Sequence, residues 1–356
     1  MKSTIRIHTS HAFKARTAYK EGFCMNRKPR ILVAGSFVMD LIATTERVPR
    51  SGQTVVGKEF HTAPGGKGAN QAVQCARLGA DVSMIGCVGA DPFGQQMLDT
   101  AHAAGVNLSH VKVDPDTCSG IGHILLEVSP SGTQNRITVI PGANMSLKTE
   151  DVAWLEGCIG QYDMVMLQME IPAEINRLIA RWAYDAGVPV MLNPAPAASL
   201  DSELLRYVTY LTPNEQEAAA ETGLPLHMEQ EPLWRQELTV IADALRATGV
   251  EHTVITLGGN GSAVAEADGL RYIPCVKMPH VADPTAAGDS FVGALCVGLC
   301  IGLSQDEALT FASHTAALTV SRIGAMPSLP HLEEVLRLLE ERGQVLSGSA
   351  ALSALG

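Results

Sequence analysis

Apolar residues recur in two alternating rhythms along this chain. Short unbroken runs (Ile31-Leu-Val-Ala-Gly35, Val82-Ser-Met-Ile-Gly86, Met164-Val-Met-Leu167, Val190-Met-Leu192 and Val254-Ile-Thr-Leu-Gly258) have the length and composition of strands buried on both faces. Between them lie stretches with helical spacing over 68–78, 92–104, 173–186, 215–222 and 238–247. Strands alternating with helices predict an α/β fold, with a mostly parallel central sheet flanked by helices. Ligands of such sheets gather at the carboxyl ends of the strands. Two stretches break the rhythm. Residues 41–62 and 120–140 are rich in Thr, Val and Ile and lack a long helical period. Within the second, Ser129-Pro-Ser-Gly132 has turn composition between Leu125 and Ile137. Together they predict a small β subdomain assembled from two separated segments.

Composition narrows the class of function. The 356 residues are 46% hydrophobic and carry a net charge of −11, which argues against a general nucleic-acid binder and favours small-molecule chemistry. Cysteines at 24, 75, 87, 118, 158, 275, 296 and 300 form no CxxC pair, so the expected compartment is reducing and cytoplasmic. Cys296 and Cys300 sit in an apolar helix, where filling the core is the simpler role. No apolar run reaches the length of a membrane span. Residues 1–29 are basic, with Lys2, Arg6, Lys14, Arg16, Lys20, Arg27 and Lys28 against Glu21 alone. They read as a disordered extension, either a basic tail or transit peptide or, more simply, residues preceding a start at Met25. One domain is expected over 30–345. The Ala/Ser/Gly-rich stretch 346–356 reads as a frayed tail.

Two motifs carry candidate chemistry. In Asp283-Pro-Thr-Ala-Ala-Gly-Asp289-Ser-Phe291, the small residues Ala286, Ala287 and Gly288 lead into an apolar helix. A helix start offers unpaired N–H groups and the positive end of the macrodipole, and small side chains leave them open to an anion. Asp289 would stand beside that anion with a carboxylate free to take a proton, as phosphoryl transfer to a hydroxyl requires. A plain Gly-containing loop with a first-turn acid fits this stretch equally well. In Ala63-Pro-Gly65-Gly66-Lys67-Gly68-Ala69-Asn70-Gln71-Ala72, glycines permit close backbone approach, Lys67 offers a cation and Asn70 can donate and accept at once. The spacing is not that of a Walker loop, and the first strand lacks the Gly-x-Gly-x-x-Gly of nicotinamide enzymes.

The two motifs together, some 220 residues apart, resemble those of the ribokinase-like carbohydrate kinases, the phosphofructokinase-B group. The resemblance extends over 31–339 through Val88-Gly-Ala-Asp91-Pro-Phe-Gly94, Leu192-Asn-Pro-Ala-Pro-Ala197, Thr212-Pro-Asn214-Glu-Gln-Glu217, Thr256-Leu-Gly-Gly-Asn-Gly261 and Arg322-Ile-Gly-Ala-Met-Pro-Ser328. It implies a three-layer kinase domain with a β lid that pairs subunits in a homodimer. The implied activity is ATP-dependent phosphorylation of the primary hydroxyl of a pentose, ribose first. The alternatives are 2-deoxyribose, a nucleoside or, in another class, a non-catalytic sensor.

Residue roles follow from the resemblance. Asp289 would be the general base, and Ala286, Ala287 and Gly288 the anion hole. Asp40, Gly66, Lys67, Asn70 and Glu170 would contact the sugar. Asn214 and Glu217 would face ATP phosphates and hydrated Mg²⁺, with Thr256, Gly258 and Ser313 (or its neighbour His314) around the nucleotide. From the residues alone, Asn214 could equally be an N-cap and Glu217 a first-turn acid. A K⁺ site would draw on Asp283 and Ser328 by side chain and on Thr285, Thr319, Arg322 and Gly324 by carbonyl. One position departs from the family pattern: Val38 stands where ribokinases generally carry Asn.

Overall fold

Strand β1 (Arg30–Ala34) is buried along both faces, and the rest of the chain is arranged around it. The computed structural model describes residues 27–129, 132–197, 199–267, 269–348, 351, 352, 354 and 355. Most of the basic extension and the tip of the 129–132 turn lie outside them. After β1 come β2 (Val38–Thr45), β3 (Glu59–Gly65), α1 (Lys67–Arg77), β4 (Asp81–Gly89), α2 (Pro92–Ala103) and β5 (Asn107–Asp114). Next are β6 (Gly120–Ser129), β7 (Gly132–Ile140), α3 (Thr149–Val152), β8 (Met164–Gln168), α4 (Ala173–Asp185), β9 (Val190–Asn193) and α5 (Ser202–Leu205). Then follow β10 (Tyr210–Leu211), α6 (Glu215–Thr222), α7 (Leu233–Ala247), β11 (His252–Thr256), β12 (Ser262–Glu266) and β13 (Gly269–Ile273). Three helices complete the order: α8 (Ala287–Cys300), α9 (Gln305–Val320) and α10 (Leu332–Glu341).

Nine strands form the central sheet in the order β13-β12-β11-β10-β9-β8-β1-β4-β5. Pairing is parallel from β5 to β11 and antiparallel only at the β11-β12-β13 edge. Alternate residues of β1 serve opposite cores. Ile31 and Val33 pack with α1, α8 and α9, whereas Leu32 and Ala34 pack with α4 and α7. This two-sided burial is why the strands read as unbroken apolar runs. The chain leaves β1 for β4 on one side and reaches β8 on the other, so strand order reverses at β1. Ligands collect at the carboxyl ends of strands beside such a reversal.

The second sheet has the order β3-β2-β6-β7 and is the expected small β unit. It begins at Val38 rather than 41 and its other hairpin strand runs to Gly65. Asp40, one residue before the 41–62 segment read from sequence, is therefore inside strand β2. Only Gly35, Ser36 and Phe37 separate the two strands, so the chain turns straight from one sheet into the other.

The tail is not frayed where it is described. Leu346, Leu352 and Leu355 are buried in the α1–α8–α9 core, and the Ser347 hydroxyl donates to Glu307 Oε1 at 2.6 Å. Leu355 lies over Gly79, whose φ of +93° and lack of a Cβ admit it. Three leucines at core-facing positions outweigh the small residues around them.

Candidate active site

Two helix starts meet at the carboxyl end of β1. At the first, Gly66 has φ +99° and Gly68 presses on the β1–β2 turn, where any Cβ would lie 2.5 Å from Ser36 N and 2.6 Å from Gly35 Cα. Glu170, in the turn after β8, ties this loop down. It accepts the Lys67 N–H at 3.2 Å and a short bond from the Ser36 hydroxyl. At the second, Ala286 is the one non-glycine residue with positive φ (59°) among those described, and it caps α8. A left-handed alanine is strained, and such strain persists only where its surroundings enforce it. Asp283 provides part of that enforcement. Its two carboxylate oxygens accept the Thr285 and Gly324 N–H groups, each at 2.9 Å.

Asp289, in the first turn of α8, points back toward α1. Asn70 Nδ2 donates to Oδ2 at 2.8 Å and Gln71 Nε2 donates to Oδ1 at 3.1 Å. Burial pushes this carboxyl above its usual range, against the pull of Lys67 and the two amides. Burial works against the Lys67 ammonium too, but Asp289, Glu170 and Glu217 outweigh it and raise its pKa. Asp40 is pushed up to about 7, first by burial and then by Glu170, Asp283 and Asp289. Glu217 is raised by burial, with partial relief from the Asn214 N–H and Lys67. Five carboxylates thus crowd one ammonium, a balance that suits a site to receive cations with its ligand.

Lys67, Asn214, Glu217, Thr256, Gly288 and Asp289 line one cleft of about 190 Å³, which Ala286 also borders. A Cβ on Gly288 would meet nothing within 4 Å, so the space above the helix start is open. The Gly288 and Asp289 N–H groups have no backbone partner there, whereas Ala287 N–H is already bonded to Pro284 O at 3.2 Å. Asn214 and Glu217 serve both readings open in the sequence. They form a reciprocal capping box at 2.8 Å and also line the cleft. Asn70 and Glu170 join this cleft through Asp289 and Lys67.

Other expected site residues lie apart from it. Gly258 opens the turn after β11 with φ +51° but does not line the cleft. Ser313 and His314 do not line it either; on α9, each bonds a carbonyl of its own helix, Leu309 O and Thr310 O. Behind α8, Thr319 donates to Ser290 Oγ at 2.8 Å and Arg322 pairs with Glu334. Ser328 is fully buried and donates to Ala325 O at 2.7 Å. Sequence reasoning passed over Gln71, Gln168 and Asn193, uncharged amides that give no signal until their partners are known.

A buried carboxylate facing open N–H groups at a helix start can activate a hydroxyl beside a phosphoryl group. Comparison with known proteins agrees with that chemistry. Residues 28–332 match the pfkB family of carbohydrate kinases, and the chain belongs to that family: it is an ATP-dependent carbohydrate kinase. It is 38% identical over 312 residues to the ribokinase of Schizosaccharomyces pombe, covering 86% of this chain and 96% of that one. With the ribokinase of Bacillus subtilis it shares 38% identity over 309 residues, covering 87% and 99%. The structure of Arabidopsis thaliana ribokinase complexed with ribose and ATP superposes with a TM-score of 0.79 at 31% identity, covering 88% of this chain and 99% of that one.

The Asp40 shift has a consequence for stability. Unfolded, this carboxyl ionises near its ordinary value of 3.8, and folded it holds its proton up to about 7. Between those values the unfolded state has released a proton that the folded state keeps, so stability falls as pH rises and stays lower above 7. Asp40→Asn removes that penalty. The variant should melt a few degrees higher than wild type at pH 8, with no such gain at pH 4, as measured by calorimetry.

Proposed function

We propose that this chain transfers the γ-phosphoryl group of ATP to the primary hydroxyl of D-ribose, giving D-ribose 5-phosphate. The observation that supports this most is the Asp289 carboxylate, fixed by two amides in a cleft shared with the open start of α8. Asp289 takes the hydroxyl proton as the oxygen attacks phosphorus. The Gly288 and Asp289 N–H groups receive the charge that builds on the transferring group, with Ala286 setting the turn and Ala287 widening it. Asp40, Gly66, Lys67, Asn70 and Glu170 hold the sugar. Asn70 Oδ1 supports this role, being buried without a partner and so free to accept a sugar hydroxyl. Asn214, Glu217 and Thr256 face the ATP phosphates, with Gly258 and Ser313 toward the base.

Mg²⁺ and K⁺ both fit the residues present. Among the described residues, no cluster of three or more His, Cys, Asp or Glu is set to hold a metal. Mg²⁺ would therefore be held chiefly by phosphates and water beside Glu217, and it supplies neutralisation of the triphosphate charge. For K⁺ the donors are all oxygen: the Asp283 and Ser328 side chains and the carbonyls of Thr285, Thr319, Arg322 and Gly324. The Ser328 proton is committed to Ala325 O, which leaves its buried oxygen free to coordinate.

A homodimer would form through the lid. Cross-strand pairing sets Asp40, Gly122 and Val139 in one row and Ile42, Ile124 and Ile137 in the next, on one face of the lid sheet. Ile137 and Val139 are 54% and 53% exposed, an apolar surface continuous with the sugar site that a second copy would cover. No helix of the described residues is long and apolar enough to cross a membrane. None of the described cysteines forms a disulfide, which supports a reducing compartment.

A second reading extends the substrate to 2-deoxyribose. Val38 is on the same side of β2 as Asp40, is 7% exposed, and offers the pocket no hydrogen bond. A pocket without that polar partner loses little when the sugar lacks a hydroxyl.

Three outcomes test these assignments. Asp289→Asn should lose about 10²–10⁴-fold in turnover, with ribose binding retained by calorimetric titration; near-normal turnover would sink the base assignment. Replacing Na⁺ by K⁺ at matched ionic strength should raise kcat, and equal rates would remove the monovalent site. Val38→Asn should shift the ribose to 2-deoxyribose ratio of kcat/KM toward ribose, whereas an unchanged ratio means Val38 does not set specificity.

A further inference from the structure

We propose that Gln71 is a positioning residue for the base: held from behind by Gln168, its amide presents N–H to Asp289 and keeps that carboxylate turned to the cleft. The inference rests on Asp289 being the base.

The polarity of this relay is forced. An ionised carboxylate only accepts, so the group facing Asp289 Oδ1 must be the NH₂ end of Gln71. The opposite end, Gln71 Oε1, accepts from Gln168 Nε2 at 2.7 Å. Gln71 and Gln168 are both fully buried, so neither can exchange these bonds for water. The far end of the relay bears the cost, because Gln168 Oε1 is buried with no partner. Reversing both amides would set Gln71 Oε1 against the Asp289 carboxylate, so the present direction is kept although it leaves Gln168 Oε1 without a protein partner. Gln71 Nε2 also reaches Asn193 Oδ1 at 3.1 Å, and Asn193 in turn donates to Thr212 O at 2.8 Å. The base is thereby anchored to the ends of β8, β9 and β10 rather than to α8 alone.

Gln71 is distinct from its neighbour Asn70. Asn70 bonds the other carboxylate oxygen and has a free carbonyl for a ligand, whereas both ends of Gln71 are occupied by protein. Its work is on Asp289. A hydrogen bond to a carboxylate favours the ionised form, so Gln71 opposes what burial does to this group. The charged neighbours are Lys67 on the same helix, Glu170 after β8, Asp40 on the lid and Glu217 on α6. Of these only Lys67 also favours the charged base.

The test is the acid limb of the kcat profile at saturating ribose and ATP, which reports the base in the bound complex and leaves out the free-enzyme titration of Asp40. Gln71→Met keeps the shape and removes the bonds to Asp289 and Asn193 and the one from Gln168; its limb should move up by about one pH unit, so that turnover lost at neutral pH recovers as pH rises. Gln71→Glu sets a second carboxylate against Asp289 and should move the limb further. Gln168→Met leaves Gln71 in place but frees its amide to turn, and should shift the limb less; it carries the test if both Gln71 variants fail to fold. Lower turnover with the limb unmoved in the folded variants would reduce Gln71 to a packing role and overturn the inference. Failure of the underlying reading looks different, since the wild-type acid limb would then persist in Asp289→Asn.

Discussion

At the carboxyl end of β1 two backbones run closer than any side chain would allow. Gly68 lies over Gly35 and Ser36, and a Cβ on Gly35 would come within 2.7 Å of Gly68 Cα. This approach brings the start of α1 down onto the strand end. Lys67, Asn70 and Gln71 then face α8 rather than solvent, and Glu170 can reach the Lys67 N–H and the Ser36 hydroxyl together. Asp289 finds its two amides only because α1 sits that low. The lid depends on the same contact, because β2 leaves from Phe37 and β3 returns into Gly66. One glycine pair therefore sets the spacing between the two sheets and Asp289.

Charge crowding is the second constraint. Asp40, Glu170, Glu217, Asp283 and Asp289 converge from β2, the turn after β8, α6, the loop before α8 and the first turn of α8. Protein donors relieve each of the last four: the Lys67 N–H, the Asn214 N–H, the Thr285 and Gly324 N–H groups, and the Asn70 and Gln71 amides. Asp40 lies opposite Ala63 and Gly122 in its sheet, and burial with the charges of Glu170, Asp283 and Asp289 carries it to about 7. Burial is the first cause of the upward push on Asp40, Glu217 and Asp289, and protein hydrogen bonds oppose it at Glu217 and Asp289.

The sequence showed much of the frame and part of the site. Runs such as Met164-Val-Met-Leu167 were legible because two-sided burial removes polar alternation. The two-residue β10 and the edge strands β12 and β13 left no comparable trace, since short or half-covered strands need few apolar residues. Asp289 and the Gly65–Gly68 loop stood out because helix starts and glycines have local signatures. Asp40 was found, but the β segment was read to start one residue after it, as no residue pattern marks where β1 passes into β2. Gln71, Gln168 and Asn193 were silent for a different reason. A buried amide is defined by partners far away in sequence, here 97 and 122 residues off. In the tail, composition misled, because Leu346, Leu352 and Leu355 carry the burial while Ala, Ser and Gly dominate the count.

The place of β1 also governs how the chain can fold. It comes first among the described elements yet lies inside the sheet, third from the β5 edge, and its two neighbours are β4 and β8. Ile31 must find Val82 on one side and Met164 on the other, with the whole lid hairpin β6–β7 looped out between those partners. Such pairings close large loops before they return contact energy, and parallel pairing of this kind is slow. Until β8 arrives, one edge of β1 is an apolar strand without a partner. The nascent sheet is then open to pairing with the wrong chain. The geometry that gives the finished kinase a site at its centre thus leaves the unfinished one exposed at the same strand.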